Sequence, residues 1–223
     1  MNNRTLLMVV VCAVVEAFSA QLNFYLGPIP YTFQNFGVVL SGLTLPPKYA
    51  LLSQLLYLGM VGLGIPAASG FKGGIHVLVG YTAGYLWGFP ISAFLMSVLS
   101  RKYLQASKVS LDKIRVKEYV ILTLISAVSA MPAYTLGFLV FFAYATLFTP
   151  NLLTWSSSLI RFLGVEVGNP VLTLFIASVA IFIPQDVLMD HLMAILTSST
   201  LLRYLKSVGY CRSQDLTLHE CLS

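Results

Sequence analysis

The sequence has very few charged residues. Asp, Glu, Lys and Arg together make up 9% of its 223 residues, against about 25% in ordinary soluble domains. Apolar residues make up 57%, so a soluble protein of this length would have too few polar groups to cover its surface. Because a transmembrane helix needs roughly 20 apolar residues, the composition predicts an all-α integral membrane protein with one membrane domain over residues 1–223.

The sequence also lacks familiar catalytic motifs. It contains no HExxH, no GxSxG and no lysine after a glycine-rich phosphate-binding loop. We therefore expect no catalytic residues, no bound metal or cofactor, and no ATP hydrolysis by this chain. Cysteine is scarce as well, and the tail residues Cys211 and Cys221 are expected to be free thiols because their spacing is not a usual zinc pattern.

Apolar runs are interrupted by proline, glycine and charge, and they predict six transmembrane helices in a compact bundle. The runs cover residues 5–24, 36–45, 49–63, 77–99, 120–147 and 184–205. The second run is short, so a short second helix is expected. The apolar region before the sixth helix is divided by Pro184, and proline is favoured in the first turn of a helix. We therefore expect a broken region there, with the sixth span starting at Pro184.

Basic residues predict the orientation of the bundle. Six lie between 101 and 117, and three more follow the last apolar run. Positively charged loops remain cytoplasmic, so both termini and the tail 206–223 are predicted to be cytoplasmic. Residues 65–75 and 148–168 are then external. A nucleic-acid partner, the other interpretation of a basic cluster, is not expected, because the 101–117 cluster lies between two apolar runs.

Ionisable residues inside apolar runs are candidates for function because they are costly in lipid. They are Glu16, Asp186, Asp190 and His191. Asp186 and Asp190 are four residues apart, so they are expected to share a helix face directed into the bundle. Asp186 would lie in the first turn after Pro184, where the helix dipole favours an anion. Helix capping or core hydrogen bonding remains the alternative for each of these residues.

Three non-helical segments are predicted to meet on the external side. They are the proline-rich loop 27–34, the glycine-rich loop 62–74 and the break at Pro184. Irregular backbone at membrane depth is tolerated where protein or a cavity covers it, so a ligand site under a lid is expected. The segment 80–89 combines small residues with aromatic ones, which favours either stacking on a flat ligand or plain helix packing.

Four motifs resemble those of the BioY family, the biotin-binding specificity subunits of energy-coupling-factor (ECF) transporters. They are GPIPYTFQ at 27–34, YLGMVGLGIP at 57–66, GYTAGYLWGF at 80–89 and PQD at 184–186. The resemblance covers about residues 5–100 and 178–205. The sequence departs from the family pattern at Tyr81, Ala83, Gln185 and Met189. Met189 stands where the family has a lysine that is expected to help bind the carboxylate of the ligand.

The resemblance implies high-affinity biotin capture and uptake across a prokaryotic cytoplasmic membrane. The expected partners are biotin, the lipid bilayer, an ECF transmembrane coupling subunit and two ABC-type ATPases that use the ATP. The implied ligand-binding residues are Thr32, Gln34, Tyr31, Tyr81, Thr82, Tyr85, Asp186 and Asp190. Among them, Asp186 would accept hydrogen bonds from the ureido group of biotin. Ala13 and Ala17 would form the small-residue face that meets the coupling subunit.

Three alternatives remain at this point. Met189 in place of the family lysine favours a specificity subunit for another vitamin or small molecule. A membrane-embedded enzyme would use Asp186, Asp190 and His191. A solitary transporter would work without ATPase partners.

Overall fold

The structure is a computed structural model that describes residues 3–222, and it is mostly helical. A two-stranded antiparallel hairpin, β1 (Asn23–Leu26) and β2 (Ile29–Thr32), separates the first two helices. The helices are α1 (Asn3–Gln21), α2 (Gln34–Thr44), α3 (Pro47–Gly62), α4 (Ile75–Leu78), α5 (Ala83–Ser107), α6 (Val116–Ala143), α7 (Asn151–Phe162), α8 (Pro170–Phe175), α9 (Ile183–Gln185), α10 (Leu192–Ser207) and α11 (Leu218–Leu222).

Four helical stretches within residues 3–222 are long and apolar enough to cross a membrane. They are Asn3–Gln21, Ala83–Ser107, Val116–Phe148 and Pro170–Ser207. This confirms a mostly helical, multi-pass membrane architecture. The short second helix is also present, since α2 has 11 residues and α3 has 16. Both pack between α1 and α5 at the centre of the bundle.

Glycines on α5 allow it to pack closely against α6. A Cβ atom on Gly84 would lie 2.1 Å from the Leu136 carbonyl oxygen, and one on Gly88 would lie 2.3 Å from the Ala133 Cα. Two small residues four positions apart let two helix backbones approach closely. The small residues of the 80–89 motif therefore hold α5 against α6, as the packing interpretation predicts.

The proline-rich segment forms the hairpin rather than a helix, as the two prolines require. Gly27 makes the turn with a positive φ of 80°, a conformation that other residues adopt at a cost. A Cβ atom at this position would lie 1.9 Å from Trp155 Nε1 on α7. The tip of the hairpin is thereby packed under α7, within the segment 148–168.

The last apolar region is one irregular helical run from Pro170 to Ser207. Asn169 caps its start by accepting hydrogen bonds from the N–H groups of Val171 and Leu172 at 2.9 and 3.4 Å. Pro184 lies in the first turn of α9, as proline prefers. Wide π-type turns lie on both sides of it, over Ile176–Ala180 and Asp186–His191.

A helix starts at Ile183 after the two turn residues 181 and 182, one residue before the expected start at Pro184. The N–H of Asp186 donates to the Phe182 carbonyl at 3.0 Å. Asp186 therefore lies near the start of this helix, with its own N–H already bonded.

The opposite end of the bundle, which we call the tail end, consists of the loop 108–115 and residues 208–222. Lys206 Nζ lies 2.6 Å from Asp112 Oδ1 and 2.9 Å from Ser110 Oγ. The structure also joins Cys211 and Cys221 in a disulfide, which corrects the expectation of free thiols, because the tail turns back on itself through α11. Asp215 lies close to these two cysteines, but sulfur atoms joined in a disulfide are not thiolate ligands for a metal ion.

Ala13 and Ala17 differ in their environments on α1. Ala13 is fully buried in a cluster that includes Val38 and Tyr57. Its side chain is therefore covered by α2 and α3, which corrects its predicted position on a surface facing another subunit. Ala17 is half-buried at the edge of the same cluster, and its contact with a coupling subunit stays a prediction.

Candidate functional site

A cavity opens at the end of the bundle that carries the hairpin. Its walls come from the hairpin, the loop 63–82, α5, α6 and the helical run around Asp186. The open space in the cavity and its mouth, including the solvent at the opening, is about 900 Å³. Six of the eight predicted ligand-binding residues line it: Thr32, Gln34, Tyr81, Thr82, Tyr85 and Asp186.

Asp186 is the one acidic side chain among the described residues lining the cavity, and it lies at the buried end. The residue is 4% exposed. Tyr134 O–H and Asn35 Nδ2 both donate to Oδ2, at 2.7 and 2.8 Å. Within residues 3–222, Oδ1 accepts no such bond, so it can accept a hydrogen bond from a ligand.

Aromatic rings form much of the wall. Tyr81 O–H donates to the Pro28 carbonyl at 2.9 Å, and Tyr85 O–H donates to the Ser178 carbonyl. Phe89 and Phe182 also line the cavity. Because the two tyrosine hydroxyls are bonded to the backbone, the rings are held in place and present apolar surface to a flat ligand.

Two polar residues of the hairpin loop complete the wall. Gln34 Nε2 donates to Tyr57 Oη at 2.9 Å, which fixes the amide. The Thr32 carbonyl accepts from Gln185 Nε2 at 3.1 Å. Side-chain hydrogen bonds thus tie the start of α2 to α3 and the end of the hairpin to the last helical run.

Tyr31 and Asp190 do not line the cavity, which corrects their predicted positions. Tyr31 is buried behind the wall, where its ring stacks on Phe24 and Phe182 at centroid distances of 4.8 and 4.1 Å. Asp190 is fully buried, and its Oδ1 accepts from Gln185 Nε2 at 3.2 Å. Asp190 also lies at the start of α2, where the backbone N–H groups of Asn35 and Phe36 donate to it.

Two further ionisable residues of the apolar runs lie outside the cavity lining. His191 is fully buried, and its Nδ1 lies 3.0 Å from Ser126 Oγ. Glu16 is fully buried beside α2, where a Cβ atom on Gly37 would lie 2.1 Å from its Oε2. Asp186, Asp190 and His191 therefore do not form one exposed group, as a membrane-embedded enzyme using all three would need.

Sequence reasoning missed three residues that shape the cavity. Asn35 and Tyr134 hold Asp186, and Lys72 lines the mouth. Tyr134 could have been found from the sequence, because it is a polar aromatic residue within an apolar run. Lys72 could have been found from the predicted orientation, because it and Arg161 are the two basic residues of the predicted external segments 65–75 and 148–168.

Comparison with protein families gives one extensive match. A family model described as the BioY family matches residues 1–206. This range includes the hairpin, the loop 63–82 and the helical run that carries Asp186. The last 17 residues, which contain Cys211 and Cys221, lie outside the match.

Similar curated proteins are named as biotin transporters. The chain is 40% identical over 95 residues to a probable biotin transporter BioY of Pyrococcus horikoshii, covering 43% of this chain and 59% of the relative. It is 43% identical over 83 residues to a biotin transporter BioY of Thermotoga maritima, covering 37% and 49%. The chain thus spans between about half and three fifths of the length of these relatives.

A solved structure shares the fold. It is described as the S-component for biotin from an ECF-type ABC transporter, and it superimposes with a TM-score of 0.66 at 20% sequence identity. The match covers 91% of this chain and 95% of the other. At this level of identity, the likeness establishes the arrangement of the helices.

Proposed function

The chain belongs to the BioY family, and we propose that it is the specificity subunit of an ECF-type transporter that captures biotin for uptake. It is a transport subunit rather than an enzyme. ATP is hydrolysed by two ABC-type ATPases, which act through a transmembrane coupling subunit. The observation that carries the proposal is Asp186 Oδ1, which lies unpaired among the described residues at the buried end of an aromatic-walled cavity.

Biotin matches this cavity in its chemistry. Its ureido group has two N–H donors and one carbonyl acceptor, and its fused rings are compact and apolar. Asp186 accepts from a ureido N–H, while Thr32, Gln34 and Thr82 supply further polar groups. Tyr81 and Tyr85 flank the rings. A site with matched polar groups strongly rejects ligands that lack them.

We propose six crossings, formed by α1, α2, α3, α5, α6 and the run Pro170–Ser207. The cavity faces outward, and both termini are cytoplasmic. The basic residues of 101–117 and of the tail support this orientation, because positively charged segments remain cytoplasmic. Since α2 is short, it needs neighbours on all sides, and its packing between α1 and α5 supplies them.

Binding of biotin to the purified chain tests the proposal. We expect nanomolar affinity or slightly weaker, which corresponds to roughly −12 kcal/mol. The measurement is isothermal titration in detergent, with mass spectrometry of any ligand that co-purifies. Failure to bind biotin at micromolar concentration, in a preparation that is folded, would overturn the assignment.

A specificity subunit for another vitamin is the second candidate, and the departure at Met189 favours it. The family lysine at this position is expected to meet the carboxylate of biotin. A different vitamin found with the purified chain would support this candidate.

A further inference from the structure

The family lysine position does not face the cavity in this chain. Met189 is 54% exposed on the outer surface of the helical run, and it does not line the cavity. Asp186, three residues earlier, points inward. A cation for an acidic ligand must therefore come from elsewhere.

Lys72 is the one basic side chain among the described residues that line the cavity. It is exposed, whereas Asp186 is buried, so the two charges lie at the mouth and at the buried end respectively. In residues 3–222, Lys72 has no ion-pair partner. Its Nζ lies 5.5 Å from the centre of the Tyr25 ring. The lysine charge is therefore available to a ligand.

The backbone around Lys72 is fixed. Lys72 pairs with Ala68 through two backbone hydrogen bonds of 2.9 and 3.2 Å. Gln21 holds the same loop, donating to the Ala67 and Ala68 carbonyls and accepting from the Phe71 N–H at 2.9 Å. Because the loop is anchored to α1, it presents Lys72 at a defined place on the rim.

Two hydroxyl groups lie on the same rim. Tyr25 Oη and Ser69 Oγ are 3.4 Å apart, and both residues line the cavity. Together with the Lys72 ammonium they can donate to both oxygens of a carboxylate. The rim thus offers an anion site that the sequence motifs of the family do not include.

We propose that Lys72 binds the carboxylate of the ligand and replaces the cation missing at Met189. This inference rests on the proposed function, since it assigns the two ends of biotin: the ureido group at Asp186 and the valerate carboxylate at the rim. Lys72 is then a determinant of specificity for acidic over neutral ligands.

The test compares biotin with biotinamide, which keeps the ureido rings but carries no charge. Wild type is expected to bind biotin about tenfold more tightly than biotinamide. Lys72→Met should bring the affinity for biotin to within about twofold of that for biotinamide, with biotinamide itself unchanged. Lys72→Arg should retain the preference. Lys117→Met, an exposed lysine on α6 at the tail end, is the matched control and should behave as wild type.

The outcomes separate this inference from the proposed function. If wild type binds neither ligand, both the proposed function and the role of Lys72 are overturned. If wild type binds both and Lys72→Met keeps the preference for biotin, only the role of Lys72 is overturned. An equal loss of affinity for both ligands in Lys72→Met also overturns it, because that pattern indicates a disturbed loop rather than a lost charge contact.

Discussion

Replacing Asp186 with Asn changes the buried end of the cavity without changing the size of the side chain. Oδ2 receives both hydrogen bonds from the protein, from Tyr134 and Asn35, so Oδ1 remains for the ligand. In the variant, one of the two side-chain positions becomes an NH₂ donor, which cannot accept from a ureido N–H. If the NH₂ group faces the cavity, the ureido N–H loses its acceptor. If it faces the protein, Tyr134 and Asn35 lose theirs.

The magnitude follows from the type of hydrogen bond that is lost. Bonds to a charged group contribute about 1.5–3 kcal/mol, and a buried donor left without a partner incurs its desolvation penalty. This corresponds to a dissociation constant for biotin that rises about tenfold to a hundredfold. Folding and membrane insertion should persist, because Asn preserves the volume.

Isothermal titration of wild type and variant with biotin measures the effect. Asp190→Asn is the matched control, since it makes the same change one turn further along, at a fully buried residue outside the cavity lining. Its effect should be under about threefold, well below the cost of a lost charged hydrogen bond. If Asp186→Asn binds biotin as tightly as wild type in a monodisperse preparation, Asp186 has only a structural role and the ureido site lies elsewhere.

Three further predictions concern the orientation of the 101–117 loop, the packing of α5 on α6, and the pH dependence of the tail. A Lys108→Cys variant lacking the native cysteines should react with an impermeant thiol reagent only after cells are permeabilised; labelling of intact cells would contradict the cytoplasmic position of 101–117. Gly88→Ala should lower the free energy of unfolding by about 1–3 kcal/mol through overpacking. Gly59→Ala is the control and should not lower it, because nothing lies within 4 Å of the added Cβ. Equal effects in thermal unfolding would refute the close α5–α6 contact. Burial opposes ionisation of Asp112, but its hydrogen bonds, including that from Lys206, hold its pKa below the ordinary value. The pairing should therefore stabilise the tail at neutral pH and be lost as the pH falls below the roughly 3.9 of a free aspartate. Lys206→Met should speed tail hydrogen exchange at pH 7 but not below that range, and a pH-independent difference would show that the charge pair is not the cause.

Sequence patterns predicted the parts of the fold that depend on local chemistry. The apolar runs predicted α1, α3, α5 and α6 because long stretches without charge have few alternatives to a lipid helix. The two prolines of 27–34 predicted a non-helical segment, although not that it would pair as a hairpin. The hairpin contacts Tyr81 and Trp155 of α7, which lie more than 50 residues away along the chain.

Predictions about side-chain direction were less successful where the helix is irregular. An ordinary α-helix would place Asp186 and Asp190 on one face. The structure has a wide turn over 186–191, and of the two acids only Asp186 lines the cavity. Apart from Pro184, nothing in the local sequence indicates such a turn. The supporting donors Asn35 and Tyr134 come from two other helices, so only the folded chain brings them to Asp186.

The departures from the family motifs have different structural meanings. Gln185 stands where the family has glycine, and it does not line the cavity. Its Nε2 instead donates to the Thr32 carbonyl at 3.1 Å and to Asp190 Oδ1 at 3.2 Å, which ties the hairpin to the last helical run. Irregular backbone at membrane depth needs such partners, so Gln185 supports the cavity from outside it.

Tyr81 makes a similar link from the opposite wall, because its hydroxyl donates to the Pro28 carbonyl at 2.9 Å. Tyr81 and Gln185 together hold the turn before β2 and the last residue of β2 by side-chain hydrogen bonds. These two departures therefore change how the hairpin is fastened and leave Asp186 free to meet a ligand. Met189 is different in kind, since it removes a charge without adding a contact to the cavity. If the ligand is the acidic one that we propose, it needs a cation that Met189 does not provide. Lys72 lines the cavity on an anchored loop and is placed to supply that charge.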